Sequence, residues 1–422
     1  MSLTIDAAVI FMSDFPESLR CFPPTRAAAE ERLADFVPRA GRAYAAQRNA
    51  DPGPGLKTNV SMLSPYVRHR ILSEHEVIAA VLEQHSADQA EKFIQEVFWR
   101  TYWKGWLQMR PKVWHDFLAE RDGDRKRVEA NAGLSRALNE AESGRAGIEC
   151  FDDWARELVA TGYLHNHVRM WFASIWIFTL KLPWALGADF FLRHLLDADP
   201  ASNTLSWRWV AGIQTAGKTY LARPDNIEKY TQGRYRPTGL AEVAEPIRDE
   251  APYKRELLET LPALPARHPA LLLVHGDDLG AHACLDSGLE LRAAMVAGGG
   301  HRHAPWPLGD KARSFASAAA TDAVKQLQSR FKIEAQNVSN LDAEAIGEQA
   351  RLIGVDTVVT AEAPVGPLAD GLAQLGRELG QAGLSLHRVR NDWDTRAWPQ
   401  ATKGFFPFKK NIPRLLEQAG LV

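Results

Sequence analysis

Between Thr161 and Trp209 the chain sets polar and ionisable residues inside an otherwise apolar, helix-patterned run. The segment reads TGYLHNHVRM, then LLDADPASN, then SWRW. Asn166, Arg169, Asp197, Asp199 and Asn203 stand there among leucines, phenylalanines and tryptophans. Unpartnered buried polar groups are costly, so apolar helices do not enclose such a set without something to satisfy it. Two aspartates this close repel unless a cation or N–H donors face them, and Arg169 is one such cation. The chemistry on offer is the binding of a polar group inside a helical bundle. A second polar motif, FIQEVFWRTYWK, spans Phe93–Lys104; Glu96 and Arg100, four apart, share one helix face as an ion pair would. Ten of the 13 tryptophans lie from Trp99 to Trp209. Indoles fill cores, but each wants its N–H paired, so the clustering invites a second role.

These residues need helices to position them, and the first half reads helical. Apolar periodicity runs over Thr25–Gln47, between Pro23–Pro24 and Pro52–Gly55. Ser73 and Glu76 form a capping-box pattern that opens a helix continuing through Leu82. Further helices are expected over Ser86–Met109, Phe151–Thr161, Leu164–Leu180 and Gly187–Leu196. Asp122–Gly147, polar and charged, reads as a surface connection with some helix. Pro237–Pro269 is proline-rich and polar, a linker composition. The second half changes period. Ala270–His275, Leu289–Val296, Ile333–Val338, Asp356–Thr360 and Leu384–Val389 read as strands. Between several of them stand the helices Lys311–Arg330, Asp342–Ile353 and Pro367–Ala382, the alternation of a parallel, doubly wound sheet. A short amphipathic helix is expected near Ile412–Gln418, and an added strand at Ala7–Met12.

The order and spacing of the polar set resemble the photolyase/cryptochrome family of blue-light flavoproteins over about Pro23–Arg236. Tyr44, Arg48-Asn49 and Val60-Ser61-Met62-Leu63-Ser64-Pro65-Tyr66 match the stretch that grips the flavin diphosphate in that family. Val60 stands where the family has threonine and Met62 where it has arginine. Glu96, Trp99 and Arg100 match a helix whose glutamate and tryptophan line the cavity for a damaged base and whose arginine meets phosphate. Arg169 and Asp197 match a salt bridge beside the isoalloxazine ring, Asp197 and Asp199 the acidic pair near ring and ribose, and Asn203 the position nearest the flavin N5. Trp207 and Trp184 match the first two electron-relay tryptophans. No tryptophan stands at the third position, leaving Trp176, Trp171 or a tyrosine to substitute. Glu96, Trp99, Asn166, Met170 and Trp209 occupy the positions of the cyclobutane-dimer cavity, and an extruded lesion costs less unstacking than an intact base. His167 and Ala222 replace rim arginines. Lys104, Arg110, Lys218, Arg223, Lys229 and Arg234 remain as candidates for a phosphate-binding patch.

The resemblance implies a multidomain α and α/β protein: an all-helical FAD-binding domain followed by a Rossmann-like parallel α/β domain, a circularly permuted photolyase architecture. Gly404-Phe405-Phe406-Pro407-Phe408-Lys409-Lys410 resembles the end of the family's α/β domain, and the strand before His275-Gly276-Asp277-Asp278-Leu279 resembles its beginning. Domain bounds are expected at 1–22 (an N-terminal extension), 23–240 (helical), 241–268 (linker) and 269–422 (α/β). The shortened first loop and helix leave the antenna chromophore unassigned. Gly298–Gly300 lacks dinucleotide-fingerprint spacing, and His268, His275, His282, His301 and His303 lack metal-ligand spacing.

A formal net charge of −2 supplies no global drive toward nucleic acid or anionic lipid, so a DNA partner must meet a local patch. Three scattered cysteines form neither a disulfide framework nor a four-cysteine cluster site. With no secretion-signal layout and no apolar run long enough for a bilayer, a cytoplasmic location without membrane partners is expected. The leading expectation is FAD-dependent, light-driven repair of cyclobutane pyrimidine dimers by electron transfer from reduced flavin. The alternatives are a cryptochrome-like photoreceptor that signals to a protein partner, and a flavoprotein with only an interaction role.

Overall fold

The computed structural model of the chain describes residues 21–55, 58–248, 252–298 and 308–422. The expected strand at Ala7–Met12, and Gly299, Gly300, His301 and His303, lie outside the described residues.

Helices come first. The Thr25–Gln47 run is broken into α1 (Arg26–Phe36), a 3-10 turn at Val37–Arg39 and α2 (Arg42–Gln47). Pro38 and Gly41 break it, since neither proline nor glycine sustains a helix interior. Next come α3 (Ser64–Arg68), α4 (Glu74–Leu82) and α5 (Glu91–Gln108). The capping box at α4 forms as expected: Ser73 Oγ accepts from Glu76 N, and the Glu76 carboxylate accepts from Ser73 N at 2.8 Å. The Asp122–Gly147 expectation fails, because this stretch is mostly helix: α6 (Lys112–Glu129) and α7 (Ala132–Glu142). Its few apolar residues, Val128, Leu138 and Ala141, fall on the buried face and suffice. They are too sparse among charges to announce a helix. The rest of the helical half is α8 (Glu149–Thr161), α9 (Asn166–Ser174) with a π turn at Ile175–Thr179, α10 (Trp184–His194), α11 (Pro200–Val210) and α12 (Pro224–Tyr230).

The second half contains the five expected strands: β1 (Pro269–Val274), β2 (Glu290–Gly298), β3 (Ala335–Ser339), β4 (Thr357–Ala361) and β5 (Ser385–Val389). All pair in parallel, in the order β3-β2-β1-β4-β5. The crossovers carry α13 (His282–Leu285), α14 (Asp310–Arg330), α15 (Ala343–Leu352) and α16 (Pro367–Gln381); α17 (Asp392–Ala397), α18 (Phe405–Lys409) and α19 (Ile412–Gln418) follow.

Why β1 is apolar throughout follows from what covers it. Leu271 and Leu273 pack with Leu368, Leu372 and Leu375 on one face; Leu272 and Val274 pack with Phe315 and the helical half on the other. A parallel strand covered on both faces loses the polar alternation of a half-exposed one. The same core carries Tyr66 of α3, Phe98 of α5, Trp393 and Phe408, so helices and sheet share one apolar interior.

The sheet also holds the helical half through charge. β1 ends in His275-Gly276-Asp277-Asp278, which meets the turn after α3. Leu279 N donates to His69 O at 2.9 Å and Gly280 N to Arg70 O at 3.0 Å. The Arg68 guanidinium pairs with Asp277, both buried. Arg70 pairs with Asp394 at 2.6 Å and Glu74 at 3.2 Å, also buried. The turn that ends α3 is thus fixed from the sheet side, and with it the loop that precedes α3.

Candidate functional site: a buried acid–arginine constellation

Three elements supply the constellation. α9 carries Arg169, α5 carries Arg100, and the loop from α10 into α11 carries Asp197, Ala198 and Asp199. Arg169 Nη2 donates to Asp197 Oδ2 at 2.8 Å, while its Nε donates to Leu164 O at 2.9 Å. Arg100 pairs with Asp199 at 2.5 Å. Asp199 also caps α11, its Oδ1 accepting from Ser202 N at 2.7 Å. Both carboxylates are almost fully buried. Burial pushes the Asp197 carboxyl upward, yet Arg169, Arg100 and the Ser64 hydroxyl outweigh it and hold the group below the ordinary carboxylate range. The acidic pair and its arginine therefore meet as expected, and Ser64 joins them.

Arg68 completes the set, and sequence reasoning missed it. Its Nε donates to Ala198 O at 2.9 Å, between the two aspartates, while its Nη1 reaches Asp277 beyond β1. Arg68 thus ties the acidic loop to the sheet. Its position one turn past the SPY motif carried no sign of this; the partner lies 209 residues away.

The mutual pairing leaves one gap. Asp197 Oδ1 is buried without a hydrogen-bond partner among the described residues, as are Ser202 Oγ, Thr204 Oγ1 and His165 Nε2. Each such group costs roughly 1–3 kcal/mol if left unmet. Of the expected site residues, Ser61, Met62, Ser64, Glu96, Trp99, Arg100, Arg169, Met170 and Trp209 are half-buried rather than sealed in core. An acceptor oxygen on a carboxylate that already pairs with an arginine fits the N–H edge of a flavin ring.

The other expected residues take definite places. Asn203 is buried on α11, its Nδ2 donating to Ala188 O at 2.8 Å. Tyr44 packs edge-on to Phe36 and Phe93, near Glu96. Burial raises the Glu96 carboxyl, opposed by Arg48. In the loop before α3, Ser61 Oγ accepts from Leu63 N, Leu63 is buried, and Met62 sits at φ +52°, an unusual conformation for a residue with a side chain. Asn166 opens α9 and is exposed. Trp209 stacks on Tyr220 at 5.7 Å. Trp99 lies face to face with Phe405 of α18, centroids 3.6 Å apart and planes 12° from parallel, so one face of that indole is covered by the chain itself.

Two relay candidates lie on α10 and α11. Trp207 touches Phe191 at 5.1 Å and Trp176 at 6.2 Å, and its Nε1 has no partner among the described residues. Trp184 Nε1 donates to Glu120 Oε1 at 2.8 Å. Trp171, the other suggested substitute, stacks on Trp154 at 5.6 Å.

The expected basic patch is corrected in part. Lys104 is 2% exposed and faces Glu74, Asp199 and Asp394, not solvent, because α17 and the turn after it cover that side of α5. Arg110 is buried too, its Nη2 donating to Thr402 O at 2.8 Å and its guanidinium lying over Trp106. Arg234 is engaged with Asp51 at 2.6 Å. Lys218, Arg223 and Lys229 remain exposed. Separately, a cleft of about 470 Å³ opens where α4, α13 and α17 meet, and it shares no lining residue with the constellation. Among the described residues no helix is long and apolar enough to cross a membrane.

Comparison with known proteins finds relatives of the helical half. Residues 93–239 match the family model described as the FAD binding domain of DNA photolyase. Similar curated proteins are the deoxyribodipyrimidine photo-lyase of Streptomyces griseus, 33% identical over 40% of this chain and 38% of that protein, and that of Thermus thermophilus, 33% identical over 47% and 45%. That of Alkalihalophilus pseudofirmus is 29% identical over 46% and 39%. The chain spans less than half the length of these relatives. A bacterial class III photolyase from Agrobacterium tumefaciens aligns at a TM-score of 0.41, with 27% identity over 49% of this chain and 43% of that one. The matched segment contains α5, α9 and the α10–α11 loop, and so every residue of the constellation except Arg68 and Ser64. Through that helical segment the chain is similar to the photolyase/cryptochrome family.

Proposed function

We propose that the chain binds FAD at the Arg169–Asp197 constellation and repairs cyclobutane pyrimidine dimers in DNA under blue light. One observation carries the reading: a buried aspartate, already paired with one arginine, keeps an acceptor oxygen that has no partner among the described residues. Bound reduced flavin would supply the photoexcited electron that splits the dimer. Arg169 and Asp197 would fix the ring edge, Ser64 and the 61–64 loop would face the diphosphate, and Asn203 would stand near N5. Glu96, Met170 and Trp209 would line the cavity for the dimer, with the Glu96 carboxyl hydrogen-bonding a base edge. The names of the photo-lyase relatives support the substrate, and exposed Lys218, Arg223 and Lys229 supply charge for the phosphate backbone. The α/β half, placed after the helices, is a permuted counterpart of the family's usual leading domain.

A second reading, a blue-light photoreceptor acting on a protein partner, is favoured by Phe405. Its stack on Trp99 occupies a wall of the lesion cavity, and Lys104 and Arg110 are withdrawn from the rim. Illuminating the full chain with dimer-containing DNA separates the two. Restored pyrimidines support repair. Flavin photoreduction with the dimers intact contradicts repair and supports the photoreceptor.

A further inference from the structure

Trp184 differs from its neighbouring indoles in what receives its proton. Trp176 donates Nε1–H to Pro183 O at 2.9 Å, a carbonyl that cannot take up a proton near neutral pH. Trp207 Nε1 has no partner among the described residues. Trp184 donates to a carboxylate, Glu120 Oε1, at 2.8 Å. The indole is buried, whereas the Glu120 side chain is 22% exposed, so this carboxylate bridges the interior and solvent. Arg248 grips both oxygens of Glu120, at 2.8 and 2.7 Å, and fixes the carboxylate in that orientation. One turn along α6 stands Asp124, whose carboxyl is pushed up to about 6 by burial and, among its charged neighbours, by Glu120.

The path inward is set by Gly187, one turn after Trp184 on α10. A Cβ there would lie 2.4 Å from Trp207 Cη2 and 2.9 Å from Trp176 Cε2. Glycine lets the Trp207 ring rest on the α10 backbone within a turn of Trp184.

We propose that Glu120 is the proton acceptor that ends this relay, so that oxidation of Trp184 is coupled to proton loss. The proposal rests on the photoreduction reading above and names the residue that makes the charge separation last. One electron leaves the Trp184 indole for an oxidised Trp207, whose own electron the flavin held at the site would accept. The Nε1–H bond then breaks, and its proton forms an O–H bond at Glu120 Oε1. Trp184 is left as a neutral indolyl radical and Glu120 as a carboxylic acid. Without a positive charge on Trp184, the electron's return must wait for the proton. Refilling takes one electron from a thiol reductant and the same proton back from Glu120.

The test generates the oxidised indole without light, by pulse radiolysis of the full chain with azide radicals. The conversion of tryptophan radical cation to neutral radical is followed by transient absorbance and electron paramagnetic resonance. The Trp184 contribution is the part lost in Trp184→Phe. We expect that part to convert at least tenfold more slowly in Glu120→Gln, to regain fast conversion in Glu120→Asp, and to be unchanged in Trp176→Phe. Equal conversion in the parent chain and Glu120→Gln overturns the proposal. Should Glu120→Gln fail to fold, Arg248→Gln decides. A carboxylate freed of its guanidinium holds a proton more tightly, so faster conversion supports the proposal and unchanged or slower conversion overturns it. Because no flavin excitation is involved, failure here is distinct from failure of the photochemical reading, which would appear as absent photoreduction in the parent chain.

Discussion

At the scale of single residues, the constellation is a set of buried charges that are tolerable only together. Removing one partner of a buried ion pair leaves the other uncompensated, at a cost of about 3–5 kcal/mol. Arg169→Ala is therefore expected to destabilise the chain by about that amount in denaturant unfolding without added flavin, more than a surface arginine would. His165 offers a test by pH. Burial lowers its imidazole to about 4, with the neighbouring His167 and Arg169 cations adding to the fall and Asp51 opposing it. A folded value below the ordinary 6.5 means that the unfolded chain takes up the proton first. Stability from this group is thus complete above pH 6.5 and is lost as pH falls toward 4. NMR titration should find the ring neutral at pH 5.5, and a midpoint near 6.5 would contradict its placement. The polar residues of the Thr161–Trp209 run were legible in sequence because each breaks an apolar pattern. Arg68 and Glu120 were not, since an arginine at a helix end and a glutamate on the charged helix α6 look like surface, and only tertiary packing shows what they touch.

Among the elements, α10 carries the tightest constraint. Gly187→Ala is expected to destabilise by about 1–3 kcal/mol through overpacking against Trp207 and Trp176. It should also slow any light-driven reduction, because the Trp207 ring must retreat from α10; thermal melting and photoreduction rate check the two effects. Element existence was largely readable. All five strands stand within about two residues of expectation, since β-branched and leucine runs between helical patterns have few alternatives. Where reading failed, the reason was local. Pro38 and Gly41 cut one periodic run into pieces. The charged stretch from Asp122 hid two helices, because a helix needs only one apolar stripe. Lys104 was assigned to the rim by its charge, whereas α17 and the turn after it, supplied from almost 300 residues later, bury it.

For the whole molecule, the sheet is a brace for the site. The carboxyl end of β1 presents Asp277 to Arg68, and Arg68 holds the acidic loop at Ala198. Arg68→Ala should therefore cost about 3–5 kcal/mol by stranding Asp277. It should also weaken flavin retention even though the substituted residue lies outside the Arg169–Asp197 and Arg100–Asp199 pairs. Unchanged FAD affinity on titration would show the sheet and the site to be independent. No reading of the sequence alone connects β1 to α3, because their pairing depends on two halves that share one core. The most direct measurement is the absorbance spectrum of the full chain after incubation with FAD and desalting, taken before and after blue light with a thiol present. The expected result is a retained oxidised-flavin band of about one equivalent that bleaches on illumination; a chain that emerges without flavin contradicts the assignment of the constellation as its site.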